Sequence, residues 1–197
     1  MRTSSWLAGS LAALLLLCGC SRPQDAPPAQ RTLEELKFEK LPDTPESRAK
    51  YPFLVASFDE AKQFNAEFPD SAPTEIYMAV VDRSQSGAPV DFAFVQLQGS
   101  YNCGTLGCSS GVYGIAPDGS YKPLLDLYSH PVEGANSLSH CGKEISLVIV
   151  EGHGMELALT EWRYNGRGFE QIGTYPFPDS SGPPPSLPPC GTKQSGK

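Results

Sequence analysis

Side chains that could bind copper or zinc occur together in the second half of the chain. They are His130, His140, Cys141, Glu151, His153 and Met155. A copper or zinc site needs its ligands close together, and a predicted strand separates Cys141 from His153. We therefore predict no metal and no cofactor, with His153 as the exposed tip of Gly152-His153-Gly154. The alternative is a metal- or thiol-dependent enzyme that uses His140, His153 and the cysteines.

Thiolate and phosphate chemistry have no support in the sequence. Paired cysteines would supply no thiolate, and no glycine-rich phosphate loop is present. Carboxylates are numerous, but no pair of them stands out as an acid–base couple. We therefore expect a non-enzymatic protein that serves as a binding or structural module with an unknown ligand.

The first twenty residues have the pattern of an export leader. Arg2 gives a positive start, and the apolar run from Trp6 to Leu17 is too short to span a bilayer. Leu17-Cys18-Gly19-Cys20 resembles the lipobox of bacterial lipoproteins, with Cys20 at the invariant position. The resemblance implies a signal peptide over 1–19, diacylglycerol on the Cys20 thiol and an acyl chain such as palmitate on its amine. Two or more chains anchor a protein stably; the alternative is an ordinary secretory leader.

The expected location and partners follow from the residue after Cys20 and from the charge. Ser21 rather than aspartate, by resemblance to enteric sorting rules, implies the outer membrane, facing the periplasm. The chain has 22 acidic and 15 basic residues without a basic cluster, which argues against nucleic acid and against a polybasic contact with lipid. We expect attachment to the membrane through the lipid on Cys20, and an envelope protein as partner.

Four cysteines remain for disulfides in an oxidising compartment once Cys18 is cleaved off and Cys20 carries lipid. They are Cys103, Cys108, Cys141 and Cys190, which allow three pairings. Gly104 and Gly107 let the ends of the first pair meet, so we predict Cys103–Cys108 and, by elimination, Cys141–Cys190. In the chain-entropy model the short loop contributes about 2 kcal/mol and the long one about 4 kcal/mol.

The loop Cys103-Gly104-Thr105-Leu106-Gly107-Cys108 resembles a Cys-Gly-x-x-Gly-Cys element of uncharacterised exported bacterial proteins. That resemblance implies a structural disulfide and no activity. Periplasmic lysozyme inhibitors also present loops closed by cysteines, which makes lysozyme inhibition an alternative function. The possible binding loop consists of Gly104, Thr105, Leu106 and Gly107. It has no charged or imidazole group to contact the catalytic carboxylates of a lysozyme, so His153 is the candidate to supply that group.

The elements that position these residues are predicted from periodicity and turn signals. Leu33 to Lys40 predicts a short helix, and Ser57 to Phe68 predicts a second, with Ser57 and Glu60 as a capping box and an apolar face at Phe58, Ala61, Phe64 and Phe68. Strands are predicted at 76–82, 90–98, 112–116, 121–127, 144–151, 155–164 and 169–175, with 144–151 central and Pro123 placing 121–127 at an edge.

The predicted fold class is α+β. One or two N-terminal helices pack on an antiparallel meander of about six or seven strands, stapled by the disulfides. The domain boundaries are a signal peptide at 1–19, a lipidated tether at 20–32, one α+β domain at 33–175 and a proline-rich tail at 176–197. Its prolines predict coil or polyproline II for the tail.

Overall fold

The computed structural model of the chain describes residues 30–131, 136–153, 156–177 and 187–190. The leader, Cys20, most of the tether and Met155 lie outside the described residues. In chain order the strands are β1 (Arg31–Glu35), β2 (Glu39–Leu41), β3 (Glu75–Val81), β4 (Asp91–Gln98), β5 (Cys103–Gly104), β6 (Gly107–Ile115), β7 (Tyr121–Ser129), β8 (Ser137–Cys141), β9 (Glu144–His153), β10 (Glu156–Tyr164) and β11 (Phe169–Pro176). The helices are α1 (Pro45–Lys50), α2 (Val55–Glu67) and α3 (Arg83–Ser86), and a 3-10 helix covers Pro52–Leu54. Among the described residues, no helix has the length and apolarity to cross a bilayer.

The first sheet is antiparallel, in the order β1-β8-β9-β10-β11. Its middle strand, β9, is buried on both faces: Ile145, Leu147 and Ile149 belong to one apolar cluster, whereas Val148 and Val150 belong to another. The prediction of a central strand there is confirmed.

The second sheet runs β2-β3-β4-β6, and both β5 and β7 pair with β6. The predicted strands at 76–82 and 90–98 correspond to β3 and β4. Among the described strands, β7 pairs with β6 alone, so Pro123 lies at an edge as predicted. Edge strands accept proline because its missing N–H is not needed for the ladder.

The two sheets pack face to face around the main core. Phe92, Phe94 and Val112 from the second sheet lie in one cluster with Leu138 and Leu147 from the first. Leu54 and Phe58, from the 3-10 helix and α2, cover the opposite face of the second sheet at Ile76, Met78, Ala93 and Val95. Phe177 and Leu187 pack on the opposite face of the first sheet, against Val148, Val150 and Leu159.

The fold class is broadly α+β, but the expected single meander is wrong. The described part has eleven strands in two sheets and three α-helices, against the expected six or seven strands in one sheet and one or two helices. Alternating apolar residues show which positions are buried in each strand, but they do not show which strands pair. The split into two sheets therefore has no local signal.

The region Leu33 to Lys40 is not a helix. It includes the end of β1 and most of β2, which belong to different sheets: Leu33 is opposite Ser139, and Lys40 is opposite Tyr77. Pairing with distant strands overrides the weak helical spacing here. β1 begins at Arg31, so the end of the predicted tether belongs to the first sheet.

The predicted helix at Ser57 to Phe68 exists as α2, but its start differs. α2 follows the 3-10 helix directly, with Leu54 at the N-cap position and no side-chain cap, so the capping box at Ser57 and Glu60 is wrong. Its apolar face is also narrower than predicted. Phe58 and Ala61 are buried, whereas Phe68 is exposed.

Candidate functional site

The structure contains two disulfides, and they are the two pairs that the sequence predicts. Cys103 and Cys108 lie opposite each other on β5 and β6 with Cα atoms 3.9 Å apart. Cys141, on β8, bonds to Cys190, and their Cα atoms are 5.4 Å apart. All four cysteines are therefore oxidised and none supplies a thiolate.

The short loop between Cys103 and Cys108 presents a neutral surface. Thr105 and Leu106 at its tip are exposed. Gly107 has φ +102°, and a Cβ there would lie 2.7 Å from the carbonyl carbon of Ser129, so this position requires glycine. The loop carries no charged group, and the hypothesis of lysozyme inhibition stays a prediction.

The three histidines lie at separate places in the fold. His140 Nε2 lies 3.8 Å from Glu34 Oε2, between β8 and β1. His153 ends β9 opposite Glu156, on a different sheet from the Cys103–Cys108 loop with which it was grouped. His130 follows β7, and its backbone N–H donates to the Val150 carbonyl. Within the described ranges, no three His, Cys, Asp or Glu side chains are grouped to hold a metal ion.

Helix α2 has a cavity on each flank. The larger has a volume of about 330 Å³ and lies between α2 and the strands β2 and β3. Phe58, Ala61 and Ile76 line its apolar part, and the ion pair between Lys40 and Glu75 lies among its lining residues. Glu75 also accepts a hydrogen bond from the Tyr77 hydroxyl. Both hydrogen bonds lower the pKa of Glu75, and the one from Lys40 has the larger effect. The charges of this cavity are largely paired within the protein.

The smaller cavity, on the other flank of α2, is a surface groove of about 260 Å³. We call it the acidic–aromatic groove; its lining residues are Glu60, Gln63, Phe64, Glu67, Phe68 and Tyr101. Five of them share one side of α2, because positions three and four apart are neighbours on a helix. Tyr101 comes from the turn after β4.

Three aromatic rings form a stack along this groove. The Phe68 and Phe64 ring centroids are 4.8 Å apart with planes at 32°, and those of Phe64 and Tyr101 are 4.6 Å apart with planes at 33°. The outer rings are exposed, Tyr101 to 62% and Phe68 to 46%. The two outer residues of the stack are therefore accessible from solvent.

Hydrogen bonds attach the turn that contains Tyr101 to the segment that follows α2. The Asn65 amide donates to the Thr74 carbonyl at 3.1 Å, and its oxygen accepts the Thr74 N–H at 2.7 Å. Asn102 Nδ2 donates to Thr74 Oγ1 at 3.2 Å, and Ser100 Oγ accepts the Ala72 N–H at 3.1 Å. The third ring is thus held to α2 by hydrogen bonds as well as by stacking.

Close backbone contact at Gly99 completes this attachment. Gly99 has φ +151°, and a Cβ there would lie 2.7 Å from both the Pro73 carbonyl oxygen and Thr74 Cα. Only glycine allows the two segments to approach this closely.

The sequence does not predict this groove. Helical spacing assigned Phe64 and Phe68 to the same apolar face as Phe58, and Tyr101 had no predicted role. At about 100° per residue, Phe64 lies about 120° around α2 from Phe58. This angle indicates that Phe64 points away from the face on which Phe58 is buried. Nothing local in the sequence indicates that Tyr101 stacks on Phe64.

Comparisons of the chain with protein-family models, curated proteins and solved structures find no match.

Proposed function

We propose that the chain is a lipid-anchored envelope lipoprotein whose folded part is a non-enzymatic binding module. The observation that carries the proposal is Cys20 at the end of an apolar leader, in Leu17-Cys18-Gly19-Cys20. The two disulfides support export to an oxidising compartment. The acidic–aromatic groove supports a binding role, because it offers exposed, fixed aromatic rings.

The length of the tether limits where a partner can be. From Cys20 to Gln30 the chain spans at most about 40 Å when fully extended. The first sheet begins at Arg31. With lipid on Cys20, the module would remain within this distance of the membrane surface, and its partner would be a membrane-associated or periplasmic protein.

Membrane fractionation of two cysteine variants tests the proposal. Cys20→Ser removes the acceptor thiol, so the variant is expected to lose palmitate labelling and the processed, membrane-bound form. Cys18→Ser is the matched control, since it changes a leader cysteine two residues away and should keep both. Equal labelling and membrane residence of the two variants would contradict lipidation at Cys20.

The proposed location is tested on the same membranes. Separation of inner and outer membranes by density should place the wild-type protein in the outer fraction, and recovery in the inner fraction would contradict the sorting inferred from Ser21.

A further inference from the structure

We propose that the acidic–aromatic groove binds a lysine or arginine side chain of a partner polypeptide. This inference rests on the proposed binding function and specifies the chemistry of the partner. It follows from the charges, the ring geometry and the size of the groove.

The charges of the groove favour a cation. Its lining includes the carboxylates of Glu60 and Glu67 and no basic side chain. The nearest lysine in sequence, Lys62, lines the cavity on the other flank of α2 instead. The whole chain has a formal charge of −7, so long-range attraction acts in the same direction.

The rings add a second attraction for the same group. A guanidinium or ammonium group over an aromatic face is attracted by the ring quadrupole, and guanidinium groups also stack on rings. The exposed residues Tyr101 and Phe68 line the same groove as Glu60 and Glu67. A cation placed there would contact rings and carboxylates together.

Contacts within the protein hold the rings of the groove in place. Phe64 stacks with both other rings, and Asn65, Gly99 and Asn102 fix the turn that carries Tyr101. A partner therefore binds without first ordering these side chains, which lowers the entropic cost of association.

The size of the groove indicates a side chain of a polypeptide rather than a small-molecule ligand. Its volume, about 260 Å³, is below that of pockets that enclose drug-sized ligands.

Peptide binding to the mature, lipidated protein in neutral detergent tests the inference. The probe is a fluorescein-labelled hexapeptide of alternating arginine and glycine, and its control has citrulline, which is uncharged, in place of arginine. Fluorescence anisotropy should show at least about tenfold tighter binding of the arginine peptide, and weaker binding at high salt. Equal affinity for the two peptides would overturn the proposal.

Substitutions locate the binding. Tyr101→Ala and Glu67→Gln are each expected to weaken binding of the arginine peptide at least about threefold. Tyr121→Ala and Glu156→Gln are matched controls, since Tyr121 is 45% exposed, Glu156 is exposed, and neither lines the groove. Unchanged affinity of both groove variants, with circular dichroism showing that they are folded, would overturn the proposal.

Two further measurements distinguish other occupants of the groove. If Arg22 of the chain's own tether fills it, Arg22→Ala will tighten binding in the peptide assay. If lipid fills it, Tyr101→Ala will reduce binding of the delipidated protein to phosphatidylcholine vesicles in a separate assay. Either result would overturn the assignment to a partner. The groove variants leave Cys20 intact, so failure of peptide binding with normal lipidation would leave the proposed anchoring unaffected.

Discussion

Glu161 is the most deeply buried carboxylate among the described residues, 2% exposed, and each of its oxygens has a partner. Arg31 Nη1 donates to Oε1 at 2.7 Å and the Tyr175 hydroxyl donates to Oε2 at 2.9 Å. Arg31 also donates to Ser139 Oγ at 3.0 Å. A buried charge with this set of donors is tolerated, whereas an unpaired one is not.

Loss of the Glu161 charge should destabilise the protein strongly. Glu161→Gln leaves Arg31 largely buried without a counter-charge, and we expect a loss of about 3 kcal/mol in the free energy of unfolding. Glu144→Gln is the matched control, because the Glu144–Arg163 pair is at 3.8 Å and largely exposed, and we expect a loss below about 1 kcal/mol. Urea unfolding with the disulfides intact measures both; equal losses would contradict the role of burial.

The same cluster should raise the pH at which Tyr175 ionises. Burial, followed by the hydrogen bond to Glu161, raises the pKa of Tyr175 to about 12. The folded state therefore holds this proton more tightly than the unfolded state, where the pKa is about 10. The stabilisation is complete below pH of about 10 and is lost as pH rises towards 12.

Tyrosinate absorbance tests this shift. Tyr175→Phe should remove the absorbance change of one tyrosine near pH 12 and leave the absorbance change near pH 10 unchanged. Loss of the absorbance change of one tyrosine near pH 10 instead would contradict the effect of the cluster on Tyr175.

At the scale of elements, the groove depends on how the turn after β4 docks on the end of α2. Gly99→Ala places a methyl group against the Pro73 and Thr74 backbone in a left-handed conformation, and we expect a loss of about 1–3 kcal/mol. Gly104→Ala is the matched control, since a Cβ there meets nothing within 4 Å, and we expect a change below about 0.5 kcal/mol. Thermal unfolding compares the two, and similar midpoints would contradict the close contact.

The Cys141–Cys190 disulfide attaches the described segment of the tail, 187–190, to the first sheet. The residues are 49 apart in sequence, so the chain-entropy model gives about 4 kcal/mol for this bond, against about 2 kcal/mol for Cys103–Cys108. Replacement of each pair by serine should therefore lower the unfolding free energy about twice as much for Cys141–Cys190. A larger loss for the short loop would contradict this ranking.

Removal of the long-range disulfide has a second expected effect. Val150 and Leu159 are buried beneath Leu187, three residues before Cys190. Release of this segment should expose apolar surface and increase binding of a hydrophobic dye, whereas removal of Cys103–Cys108 should not. Equal dye binding would show that the tail stays in place without its disulfide.

The elements that the sequence predicts well are those with strong local signals. β9 has an unbroken apolar run, and Asn165 in the turn between β10 and β11 accepts hydrogen bonds from the N–H groups of Arg167 and Gly168. β8 was missed because Ser137–Cys141 is rich in serine and looks like a loop. It becomes a buried strand only because β1 and β9 pair with it on either side.

For the candidate site, the sequence predicts the two disulfides but not the acidic–aromatic groove. The two glycines between Cys103 and Cys108 select the first disulfide, and elimination gives the second. The acidic–aromatic groove requires Tyr101 to reach Phe64 across a turn whose position is set by Gly99, Thr74 and Asn102. These contacts depend on tertiary packing, which helical spacing in α2 does not reveal.

At the scale of the whole molecule, a short tether would join an acidic, disulfide-bonded two-sheet fold to the proposed lipid anchor. The anchor would keep the groove near a membrane at high local concentration, so modest affinity for a basic segment on a neighbouring protein would suffice. This consequence depends on lipid at Cys20, and a released protein would need a much tighter site for the same occupancy.

The intact mass of the mature protein from membranes, before and after reduction with thiol alkylation, tests the central claim most directly. We predict the mass of a chain that begins at Cys20, with a diacylglyceryl group and an acyl chain added. Four cysteines should become alkylated only after reduction. A chain that begins at another residue, lacks lipid or has thiols that react before reduction would contradict the account.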